Sequence, residues 1–246
     1  MCLSHQNRRE VDTIMPNDRQ LKCAEIARDW LAMEPLFLDT ETTGLRSTDQ
    51  IIQIAIVDAK GNTVLEALVK PTVPIGAEAA AVHGITEDVV ARCPSFLEIW
   101  PVIGAILKDR HVVIYNAAYD TGMIRQSLGP QTPMLPGEMP EPEWNPPHVI
   151  VLKDGLVIKP VFPMLDPESD CVHDAMKLFA QFAGKPGKLG LFRWWKLGEA
   201  AEQCGIVPDG NLHGAAVDAE TTRRIVEYMA KLNPPNGACE NAQEVA

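Results

Sequence analysis

The chain has 246 residues, 46% of them hydrophobic, enough for one domain of ordinary size with a full core. Its net charge of −11 argues against a protein that holds long duplexes by neutralising phosphates, and two bound divalent cations would still leave it acidic. No apolar run approaches the roughly 20 residues that span a bilayer, and Met1 to Glu10 has no hydrophobic stretch of signal-peptide type, so a cytoplasmic protein without a membrane partner is expected.

Residues 1–16 are polar and aperiodic and read as a disordered arm. Asp18 is placed to cap a helix running to about Ala32, with Leu21, Ile26, Trp30 and Leu31 as its apolar stripe. Leu36-Phe37-Leu38 has no polar alternation, the mark of a central strand covered on both faces. Ile51–Val57 and Thr63–Val69 are the second and third strands. The turn Asp58-Ala-Lys-Gly61-Asn62 between them predicts antiparallel pairing.

A helix over Pro94–Lys108, a strand over His111–Tyr115 and a helix over Ala117–Leu128 follow. Ten prolines between Pro130 and Pro167 then break the pattern. This 129–168 segment reads as an insertion holding a hairpin, Val149–Leu152 with Leu156–Ile158. Cys171-Val-His is a short strand, and Asp174 caps a helix from Ala175 to Ala183. Gly184–Gly190 is a mobile basic loop, and helices over Trp195–Cys204 and Gly214–Leu232 precede a disordered tail at 234–246. The alternation predicts a single α/β domain over 17–233, a mixed five-stranded sheet flanked by helices with its first three strands antiparallel. The six cysteines are far apart and form no Cys-x-x-Cys pair, so reduced thiols are expected.

Asp39 and Glu41 stand two apart on a strand, side by side about 6–7 Å from one another. Asp120 falls in the first turn of its helix, where a carboxylate also suits the dipole. Asp218 shares a helix face with Thr222, Ile225 and Met229, so an acid lies in line with an apolar stripe and needs a cation or donor. His213, five residues earlier, lies in the loop before the helix. Beside a metal cluster it is placed to act as a general base. Each acid alone has an ordinary structural reading as a strand end or a cap. A buried cluster of them is stable only with cations in it, as in two-metal phosphodiesterases.

In order, Asp39-Thr-Glu-Thr-Thr-Gly44, Asn116-Ala-Ala-Tyr-Asp120 and His213-Gly-Ala-Ala-Val-Asp218 resemble the three motifs of the DEDD exonucleases. The histidine places the resemblance in the DEDDh, DnaQ-like branch. Val82-His83-Gly-Ile-Thr86 also looks like a family segment, and the likeness covers about 35–128 and 171–230.

The resemblance implies a ribonuclease H-like fold and a 3′→5′ exonuclease that releases nucleoside 5′-monophosphates from single-stranded or frayed ends, DNA ahead of RNA. It implies that Asp39, Glu41, Asp120 and Asp218 hold two Mg²⁺ or Mn²⁺ ions and that His213 removes a proton from the attacking water. Thr42 and Thr43 would cradle the terminal nucleotide, Leu45 would wedge between the last two bases, and Tyr119 and His83 would line the pocket. Asn116 belongs to the same set of substrate contacts, although fixing the turn is its simpler role. The partner expected is a nucleic-acid 3′ end. A free-standing nuclease is preferred to a polymerase proofreading or repair subunit, because no clamp-binding Gln-x-x-Leu-x-Phe peptide is present. The insertion has two readings, a cover over the active-site edge or a homodimer contact.

Overall fold

The computed structural model describes residues 16–129, 150–151, 157–158, 165, 169–210 and 212–234. Almost all of the expected arm and tail, and most of the 129–168 insertion, lie outside the described residues.

Helix α1 (Asp18–Ala32) starts at Asn17, which takes the capping role expected of Asp18: its side chain accepts from Gln20 N–H, and the Gln20 side chain returns the bond to Asn17 N–H. Strand β1 (Leu36–Thr42) follows, buried on both faces in its first half. It pairs antiparallel with β2 (Ile51–Val57), which pairs antiparallel with β3 (Thr63–Leu68). Helices α2 (Ala77–His83), α3 (Glu87–Val90) and α4 (Phe96–Leu107) lead to β4 (Val112–Ile114), parallel to β1. Then come α5 (Ala117–Leu128) and the two-residue strands β5 (Ile150–Val151) and β6 (Val157–Ile158), the expected inserted hairpin. Strand β7 (Val172–Asp174) is parallel to β4, and Asp174 caps α6 (Ala175–Ala183) by accepting from Lys177 N–H. Helices α7 (Leu197–Gln203) and α8 (Ala215–Ala230) complete the described chain.

The main sheet runs β3-β2-β1-β4-β7, the mixed five-stranded order expected, with helices on both faces. One core joins Phe37, Val57 and Val113 to Phe179, Trp195, Ile225 and Met229; the other joins Leu36, Leu38 and Ile114 to Trp100, Ile103 and Ile124. Alternate residues of β1 thus serve opposite cores, the consequence of its period of two. No helix among the described residues is long and apolar enough to cross a membrane. The described cysteines are free thiols.

Helix α1 packs mainly on α8 and α6, and its Trp30 stacks on His173 of the edge strand β7 at 4.7 Å. Its buried side chains, Cys23, Ala24 and Ala27, are small and permit close helix contact. Arg28 donates to the carbonyls of Ala230 and Leu232, closing the C-terminal end of α8. The segment 184–190, expected to be mobile, is tied instead: Gly187 N–H donates to Leu191 O and Arg193 N–H to Lys185 O, with a 3-10 turn at Lys188–Gly190.

Candidate active site

Strand β4 stops at Ile114, paired with Leu38, while β1 continues to Thr42. Beyond that point one edge of β1 is open. Asn116 turns the chain there with φ 69°, a left-handed conformation in which asparagine is favoured among residues with a side chain. The turn swings α5 round so that Asp120 reaches the open edge. Its Oδ1 accepts from Thr40 N–H at 3.1 Å and from Thr40 Oγ1 at 2.8 Å. A carboxylate of the site thus satisfies backbone that the shortened β4 leaves free. Asn116 does not line the pocket described below, and its place in the fold is this turn.

Asp39 and Glu41 point to the other face of β1, toward α8. Their partners across β2 are Ala55 and Gln53. Ala55 leaves room above Asp39. Gln53 Oε1 accepts from Ala215 N–H at 3.2 Å, capping the start of α8, a role the sequence reading missed. Ala215 and Ala219 are completely buried, and their small side chains let this end of α8 lie close to the sheet. Asp218, one turn in, accepts from His213 N–H at 3.2 and 3.3 Å. That contact folds the loop back and leaves the His213 side chain exposed, with φ 73°.

One ligand atom each from Glu41, His213 and Asp218 lie within 4.8 Å of one another. Burial, then the charges of Asp120, Asp218 and Glu41, push Asp39 well above the ordinary carboxylate range. Burial, then Asp218 and Asp120, raise Glu41 to about 7. Burial takes Asp120 to about 7 against the hydrogen bonds from Thr40, and Asp218 to about 6 against the His213 amide. Four carboxyls that resist ionisation and repel one another form a donor set suited to hard cations, which relieve both penalties. Removing the Thr40 hydroxyl with Thr40→Val leaves Asp120 less firmly oriented. Metal affinity, read by titrating Mn²⁺ into the protein, should fall about 10- to 100-fold, the usual effect of losing such a support.

The site opens into a pocket of about 1070 Å³ lined by all five of these residues and by Thr42, Thr43, Leu45, His83 and Tyr119. Leu45 stands 86% exposed on the loop after β1. That loop is held from within. Thr42 Oγ1 donates to Gly44 O and lies 2.9 Å from Tyr119 Oη; Thr43 Oγ1 donates to Asp49, whose other carboxylate oxygen accepts from Arg46 N–H. Gln126 also donates to the carbonyl of Asp49. The threonine hydroxyls and the tyrosine hydroxyl are therefore engaged in shaping the wall. His83 Nδ1 accepts from Ile85 N–H, and burial lowers its proton affinity.

The segment Val73 to Ala79 also lines the pocket and was not picked out from the sequence. Gly76 docks it on the Leu45 loop by donating to Thr43 O, so closely that a Cβ would sit 3.0 Å from that oxygen. The glycine and the run of alanines behind it were the available signal.

Residues 36–131 match the profile of the RNase_T exonuclease family. The chain is 36% identical over 205 residues to an uncharacterized exonuclease, CP81, of Escherichia phage 186, covering 83% of this chain and 92% of that protein. It is 31% identical over 103 residues to the DNA polymerase III subunit epsilon of Buchnera aphidicola (subsp. Schizaphis graminum), 38% of this chain and 44% of that one. The nuclease domain of 3′hExo, a DEDDh family member bound to rAMP, has a similar fold: TM-score 0.51 at 15% identity, over 78% of this chain and 89% of that one. Together with the acid and histidine motifs assembled in one pocket, the match to the phage exonuclease along most of both chains shows that the chain belongs to the DEDDh, DnaQ-like family of 3′–5′ exonucleases.

Proposed function

We propose that the protein hydrolyses the terminal phosphodiester bond of single-stranded or frayed nucleic acid from the 3′ end, DNA ahead of RNA, and releases nucleoside 5′-monophosphates. What carries this reading is the convergence of Asp39, Glu41, Asp120, Asp218 and His213 on one pocket wide enough for a terminal nucleotide. The four carboxylates would hold two divalent ions, Mg²⁺ or Mn²⁺. When bound, such ions polarise the phosphate and lower the pKa of water.

His213 is the one exposed titratable side chain of the five, free to take the proton of the attacking water as the bond to phosphorus forms. Leu45, braced by Asp49 and Tyr119, is rigid enough to part the last base from its neighbour. His83 and the Val73 to Ala79 wall close the pocket around the terminal sugar and base. A free-standing enzyme is the favoured form: the match to the phage exonuclease runs along 92% of that protein, whereas the epsilon match is confined to about a hundred residues.

The test is digestion of a 3′-labelled oligonucleotide by wild type and by His213→Ala with Mg²⁺ or Mn²⁺. Because His213 is exposed, its replacement should leave the fold intact and lower kcat about 10²- to 10⁴-fold, the usual worth of a positioned base. Equal rates for the two proteins, or release of a labelled fragment longer than a mononucleotide, would overturn the reading.

A further inference from the structure

We propose that Gly184–Lys196 is a docking track for the single strand upstream of the scissile bond, an aromatic and cationic surface leading away from the pocket. The proposal rests on the exonuclease reading and adds the part of the protein that grips the substrate's body.

In a chain of net charge −11, these thirteen residues hold Lys185, Lys188, Arg193 and Lys196 and no acid. The same segment leaves Leu189 97%, Leu191 60% and Trp194 51% exposed. Large apolar groups standing in water among cations fit a polyanion with flat apolar faces, which is what unpaired nucleic acid is. Base stacking on an exposed indole tolerates any sequence, as an exonuclease needs.

The segment is preorganised. Pro186 and Phe192 form a bridge across a small hairpin, and the chain at Gly187 runs so close to Phe192 and Arg193 that a Cβ would lie 2.7 Å from their backbone. At its root Trp195 is buried edge-on against Phe179, with Lys185 and Arg193 over its ring at 4.7 and 4.4 Å. Arg193 also pairs with Glu199 at 2.7 Å, neutralising a nearby acid. Lys188 and Lys196 are exposed.

Two contacts join the root to the active site. Tyr115, which lines the pocket, donates its hydroxyl to Trp195 O at 2.9 Å. Gly198 packs against Leu212, the neighbour of His213. These contacts seat the root of the segment behind the pocket wall and beside the loop that carries His213.

The test compares wild type with the Trp194→Ala/Lys188→Ala double variant on oligothymidylates of about 4 and about 12 nucleotides, lengths that fall short of and fill a typical single-strand site. Binding is read by fluorescence anisotropy with metal chelated, turnover with Mn²⁺. Affinity for the longer strand should fall about tenfold and its KM rise to match, while binding and kcat on the shorter one stay unchanged. Unchanged affinity for the longer strand, or equal losses at both lengths, overturns the track. So does a change from dimer to monomer in sedimentation with binding unaffected, which would make the patch a contact between copies of the chain. Wild type that binds the longer strand through Trp194 yet shortens neither oligonucleotide supports the track and sinks the exonuclease reading alone.

Discussion

Asp39→Asn should abolish turnover and, without metal, make the protein more stable. Asp39 resists ionisation, first through burial and then through the charges of Asp120, Asp218 and Glu41. An amide of the same shape removes one charge from that cluster, so the folded state gains when no cation is present, and melting in EDTA at neutral pH should shift upward by several degrees. The same change deletes a candidate metal ligand at the floor of the site. Losing a group that acts on developing charge costs about 10²- to 10³-fold in kcat as a general scale, and a ligand lost from a shared site should exceed it. A stability gain paired with loss of activity is the signature of a functionally strained site. If Asp39→Asn melts lower than wild type in EDTA, the carboxyls are not repelling one another and the cluster has been misjudged.

The second large effect is the pH dependence of the metal-free protein. Glu41 and Asp120 sit at about 7 and Asp218 at about 6, all raised chiefly by burial, with Asp39 raised as well. In the unfolded chain these groups titrate near 4. Below that value they are neutral in both states and exact no penalty. As pH rises from there toward the folded values, the unfolded chain gives up protons that the native protein keeps, so the carboxyls lower stability progressively until the folded values are passed. His173 works the other way: burial and then His111 hold it to about 4, so it disfavours the fold only as pH falls below the unfolded histidine value of about 6.5. It is one group against four carboxyls, so the loss prevails from about pH 4 upward. Melting temperature in EDTA should fall between about pH 4.5 and 7, and saturating Mn²⁺ should remove most of the fall over the upper part of that range. A flat profile in EDTA, or the same slope with Mn²⁺, would show that the acids do not share a cation site.

The parts of this molecule legible from sequence were those with a period. Strand β2 and helices α5 and α6 have their expected bounds because buried strands and amphipathic helices write their burial into residue spacing. The stripe through Asp218, Thr222, Ile225 and Met229 is buried throughout, as its spacing required. Helix α2 has no buried residue, so it left no stripe to read. Trp195 was expected to open a helix; it is instead drawn into the core ahead of α7, which tertiary packing decides. The supports of the site were equally hidden. Gln53 and Thr40 act on residues 162 and 80 positions away, and nothing in their own neighbourhood announces it. Asp49 is hidden differently, as one polar residue in a polar loop until its bonds to Thr43 and Arg46 are seen.

The grip of Arg28 on the last carbonyls of α8 has a consequence for the opposite end of that helix. Sixteen residues form a rod about 24 Å long, with Asp218 near one tip and the guanidinium clamp at the other. Holding the far tip removes axial play, so the height of Asp218 above the sheet is set partly by a helix that touches none of the chemistry. The first helix is thus a stop against which the catalytic rod is seated, and cutting it away would loosen the site without exposing it.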